Sequence, residues 1–157
     1  MSWEDFYRRR DALDAAVTAA CARSDALLPA VAEIEDVPAA LHYRWMLLLT
    51  SRVDLALLEA ERTGGDRVEA VSSAWHRTAE TEPALRRVLD ANPVPDASLA
   101  RERRMLALAA GLAEAGDSSE DIDRIGAAFL GLVRNAPKPV ARHSPLSGLL
   151  RKLALSA

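Results

Sequence analysis

The stretch from Asp36 to Thr63 constrains this chain most, because it carries apolar residues on two sides of a helical projection. Leu41, Trp45, Leu48, Leu49, Leu55 and Ala56 mark one face, and Met46, Leu47, Val53 and Leu57 mark another. Helices that are apolar on two faces are normally surrounded by others, so the stretch predicts the centre of a helical bundle. Its ends are equally well marked. Asp36 can cap the first turn, Pro38 sits where a missing N–H does no harm, and Gly64-Gly65 provides the stop.

Further helices are predicted on both sides of it. Ser2 and Asp5 make a near capping box, followed by Phe6, Leu13, Val17 and Ala20 at helical spacing. A shorter helix is expected from about Asp25 to Glu35 on Leu27, Leu28, Val31 and Ile34, with Pro29 in its first turn. Asp66 caps a helix carrying Val68, Val71, Trp75 and Ala79, and Thr81-Glu82-Pro83 restarts the chain into Leu85, Val88 and Leu89. After the turn Asn92 to Asp96, a helix is expected from Ala97 to Ala115 through Leu99, Leu106, Ala109 and Ala113, closed by Gly116. Ser118 or Ser119 then caps a helix bearing Ile122, Ile125, Phe129, Leu132 and Val133. The similar layouts of Met46 to Trp75 and Met105 to Phe129 are what a duplicated helical hairpin would leave.

Strand-favouring Val, Ile and Thr are outnumbered by Ala, Leu, Arg and Glu, so the expected class is all-α throughout. The expectation is a single-domain bundle of about six to eight helices ending in a basic amphipathic C-terminal helix. Residues 1–135 form the bundle, and residues 136–157 a proline-containing linker and tail. The opening Met1-Ser2-Trp3-Glu4-Asp5 has no basic-then-apolar leader, and the longest apolar run, Met105 to Ala113, is far short of the roughly 18–20 residues of a membrane span. A cytoplasmic location is expected. With one cysteine, Cys21, the chain has neither an internal disulfide nor a cysteine zinc cluster of its own.

Motifs for catalysis are scarce. A carboxylate-bridged metal pair in a bundle needs Glu three residues before His, but those positions before His42, His76 and His143 hold Ala39, Ser73 and Val140. No His-Glu-x-x-His and no glycine-rich phosphate loop occurs. Glu33/Asp36 and Glu120/Asp123 have the spacing of some Mg²⁺ sites, yet both lie at expected helix ends, where capping and the helix dipole account for acids. No cofactor and no catalytic or metal-binding residue is therefore expected. One candidate anion site remains, from Arg44, Arg52 and His42. The two arginines are eight residues apart, within about 80° around the helix axis, and a guanidinium fork suits a carboxylate or phosphate. The plainer alternative has Arg52 paired with Asp54, Glu59 or a neighbouring acid, Arg44 exposed, and His42 packed or on the surface. Arg8-Arg9-Arg10 and Arg101-Glu102-Arg103-Arg104 have acids within a turn and read as locally paired surface.

Charge is polarised along the chain. From Arg124 to Ala157 there are six basic residues and no acid, which leaves 14 basic and 23 acidic groups, a net −9, on residues 1–123. In the tail, Leu146, Leu149, Leu150 and Leu153 fall on one helical face, with Arg151 and Lys152 opposite and Ser144-Pro145 as the start. Three roles compete for it: folding back on the acidic body, docking on another protein, or lying on an anionic membrane surface. The segment Gly148-Leu149-Leu150-Arg151-Lys152-Leu153 is similar, over its six residues, to the terminal loading peptides of encapsulin cargo proteins.

Together these features predict a non-enzymatic helical interaction module (an adaptor, regulator or accessory subunit) that docks through its tail onto a protein partner, with homo-oligomers a further option. The alternative is an enzyme or small-ligand binder with an anion site near Arg44 and Arg52. A third class, an arginine-mediated nucleic-acid binder, is disfavoured by the net charge of −3.

Overall fold

The computed structural model describes residues 1–136 and contains six α-helices among them. These are α1 (Trp3–Cys21), α2 (Val37–Thr63), α3 (Arg67–Thr81), α4 (Pro83–Ala91), α5 (Asp96–Ala109) and α6 (Ser119–Asn135). The all-α class is thus what the structure shows. The expected tail helix, with Leu146 to Leu153, lies outside the described residues. No helix among the described residues is long and apolar enough to cross a membrane.

Local chemistry sets most helix boundaries. Ser2 and Asp5 form a reciprocal capping box, and Asp36, Asp66 and Ser118 each accept the backbone N–H three residues on. Gly64 ends α2 in the left-handed conformation, at φ 70°. The close of α5 differs from expectation. The helix stops at Ala109 rather than Ala115, because Gly111 takes φ 71° and the Gly111 and Leu112 N–H groups turn back to the carbonyls of Leu108 and Ala107. That is the hydrogen-bond pattern of a Schellman stop, made by Gly111 and not by Gly116.

The helix expected over Asp25 to Glu35 is absent, and residues 22–36 run as an irregular connection. A distant side chain accounts for it: Asn92 donates to the Ala26 carbonyl and accepts the Leu28 N–H at 3.0 Å. Backbone groups that a helix would use are thereby satisfied by the end of α4. Arg23 grips Asp25 through two bonds, and this with the Leu27 N–H pulls the Asp25 carboxyl down to about 2.

The most extensive pairings are the hairpins α2–α3 and α5–α6, and α4 links α1 to α2. One core joins Leu41, Trp45, Leu49 and Val53 of α2 to Val71 and Trp75 of α3, Leu85 and Val88 of α4, Leu106 of α5, Phe129 of α6 and Leu13 of α1. Gly126 lets α6 approach α5 closely: a Cβ there would lie 2.2 Å from the Arg103 carbonyl oxygen. Arg103 bridges the same crossing through Asp123 of α6 at 2.6 Å, while Asp96 at the start of its own helix steadies it at 3.1 Å.

Candidate functional site

A polar cluster lies at the centre of the bundle, around a carboxylate. Glu102 is 1% exposed, and its two oxygens face three ring N–H groups. His42 Nε2 lies 2.8 Å from Oε2, while the indole N–H groups of Trp45 and Trp75 reach Oε1 at 3.1 and 3.3 Å. The two indoles meet edge to face, with centroids 5.8 Å apart. Arg86 sets its guanidinium over the Trp45 ring at 4.7 Å and is held from behind by Asp90 at 2.9 Å. Burial works against ionisation of Glu102, but hydrogen bonds from His42 and Trp45, with the charges of His42 and Arg86, outweigh it and hold its carboxyl below the ordinary value. An ionised Glu102 has no proton to give, so His42 Nε2 is the donor of that bond.

This cluster ties α2, α3, α4 and α5 together. The donors around the carboxylate come from one turn of α2 and from α3, which suits a locking role in the core. Sequence reasoning placed Glu102 in a locally paired basic run, and the structure corrects this. Glu102 bonds none of its arginine neighbours; Arg103 pairs instead with Asp96 and Asp123. A signal was present, since Glu102 continues the spacing of Leu99, Leu106 and Ala109 and so falls on the apolar stripe of α5.

The residues of the candidate anion site are not brought together. His42 points into the core, Arg44 pairs with Asp14 of α1, and Arg52 donates to the Thr81 hydroxyl at 2.9 Å. Arg52, Glu59, Asp66, Glu69 and Arg77 line an open groove of about 430 Å³ between α2 and α3, with the two arginines toward the Thr81 end and the acids toward the Gly64-Gly65 turn. Among the described residues no group of three or more His, Cys, Asp or Glu is placed to hold a metal ion. Cys21 packs beside the core with its thiol toward the Ala84 carbonyl.

The surface carries the stronger functional signal. The central helix is not surrounded as its sequence predicts. One side of α2 faces solvent, leaving Tyr43 63%, Leu47 54%, Leu55 68% and Leu58 62% exposed. Leu47 and Leu55, both counted toward apolar faces from the sequence, lie on this open side, while Leu49 and Val53 are buried and Leu48 is partly so. A second apolar surface lies at the start of α1, where Trp3, Phe6 and Tyr7 cluster in the open. The docking residues expected in the tail, Leu146, Leu149, Leu150, Arg151, Lys152 and Leu153, fall outside the described residues. No protein-family model, curated protein or solved structure matches this chain.

Proposed function

We propose that this chain is a non-enzymatic helical interaction module whose principal docking surface is the open face of α2. The observation that carries this reading is the row Tyr43, Leu47, Leu55 and Leu58, exposed along the helix whose opposite face builds the core. Large side chains recurring on one exposed face gain little where they are and much when a partner covers them. Asp54 interrupts the row between Leu47 and Leu58, and Glu59, Glu61 and Arg62 at its far end would supply a polar rim. The same reading extends to residues 136–157, whose leucines and basic residues suit a second docking segment. The buried Glu102 cluster serves this function indirectly, by holding α2 rigid from behind.

A double substitution, Leu55→Glu with Leu58→Glu, tests the proposal. Both positions are exposed, so the helical circular dichroism and the melting temperature should stay within a few degrees of wild type. Affinity capture from the native host with the full chain should then lose a stoichiometric partner that wild type retains. Identical partners for both proteins would refute the assignment of this face.

A further inference from the structure

We infer that residues 146–153 of this chain cover the outer face of α2, so that an external partner has to displace them. The inference rests on the reading of that face as a docking surface and adds its regulation. Tyr43, Leu47, Leu55 and Leu58 are each about half exposed or more, and no other described residue covers them. Asp54 within the row and Glu61 at its far end are seven residues apart, which sets them two turns apart on the same side of the helix. Both are exposed and neither carboxylate bonds another described residue, whereas the neighbouring Glu59 is held by Arg62. Leucines with unneutralised acids among them call for a cover that is both apolar and basic. Residues 137–157 have that composition: Lys138, Arg142, Arg151 and Lys152 stand against no acid, and Leu146, Leu149, Leu150 and Leu153 recur at i, i+3, i+4 and i+7. On a helical projection the four leucines share one side, with Lys152 at its margin one turn from Leu149.

The end of α6 starts the segment within reach of that face. Arg134 lies over the Trp75 ring at 5.9 Å, and Trp75 meets Trp45 of α2 at 5.8 Å, so α6 ends level with the first half of α2, on its inner side. A helix is about 10–12 Å across, which places the opposite side of α2, with Tyr43 and Leu47, on the order of 25 Å away. Residues 137–145, extended, span about 30 Å. A tether of this length holds the segment at an effective concentration on the order of millimolar. A modest strip of leucine then suffices for docking within the chain, while a free partner has to bring more area. A second copy fits the face less well, because two-fold pairing through α2 gathers the Asp54 and Glu61 carboxylates of both chains. The same acids repel an anionic bilayer.

A photoreactive residue in place of Ser51 reads the contact, since Ser51 is exposed and sits one turn from both Leu47 and Leu55. In the purified full chain at about 1 µM, mass spectrometry should find an intrachain cross-link from position 51 to residues 137–157. Leu149→Asp with Leu150→Asp should lower its yield about tenfold, and Asp54→Lys with Glu61→Lys several-fold. All four positions lie outside the core described, so circular dichroism should stay at the wild-type value. Cross-links confined to the bundle or to a second copy would overturn the inference, as would a tail cross-link indifferent to either pair of substitutions. Capture of a partner from the native host should rise several-fold in the Leu149→Asp, Leu150→Asp chain, and equal capture would overturn the competition. No capture by either chain would count against the α2 docking reading and not against the intrachain contact, which the purified protein reports by itself.

Discussion

At the scale of single residues, the largest energetic stake is Glu102. An ionised carboxylate in the core is tolerated because three ring N–H groups and a nearby guanidinium compensate its lost hydration. Glu102→Leu removes that compensation from the other side, stranding two indole N–H groups and His42, and should cost about 3–5 kcal/mol by urea denaturation. The acid also makes stability depend on pH. Its carboxyl lies below the ordinary 4.5 in the folded state, so its contribution is present above that value and is lost as pH falls further. Wild type should therefore lose stability below about pH 4.5 more steeply than Glu102→Gln, and parallel curves would contradict the pairing. Leu49 and Leu55 supply a control pair: Leu49→Ala should cost about 2–5 kcal/mol and Leu55→Ala less than about 0.5, since only the first is enclosed. Periodicity alone assigned both to an apolar face; it reports which residues share a side, not which side a neighbour covers.

Among the elements, boundaries written in neighbouring residues were the legible ones. Ser2, Asp36, Asp66 and Gly64 act within one turn of themselves, so a sequence window contains both partners of each bond. The helix expected from Asp25 to Glu35 is not formed because Ala26 and Leu28 are held by Asn92, more than sixty residues away. The early end of α5 was legible in principle at Gly111, but the unbroken apolar run around it favoured continuation. Packing between elements was not legible at all: nothing in the local pattern announces that Gly126 sits against the α5 backbone. Gly126→Ala pushes a methyl into the Arg103 carbonyl, which is backbone and cannot turn aside. It should destabilise the protein by about 1–3 kcal/mol through separation of α5 and α6, despite the better helix propensity of Ala. A raised melting temperature for this variant would contradict the crossing described.

At the scale of the whole molecule, the core presents two apolar surfaces that no other described residue covers, the aromatic start of α1 and the outer face of α2. The all-α class and the absence of familiar catalytic motifs could be read from the sequence, and so could the two-faced character of α2. That its second face opens to solvent could not, since a face awaiting a partner and a face packed within the chain have the same composition. The proposed role depends on that open face. Its most direct measurement is site-specific photocross-linking in the native host, with a photoreactive residue at Leu58 and a control at the exposed, charged Arg124. The interaction-module reading predicts a discrete adduct between this chain and another protein from position 58 and none above background from position 124. Equal, diffuse labelling from both positions would contradict it.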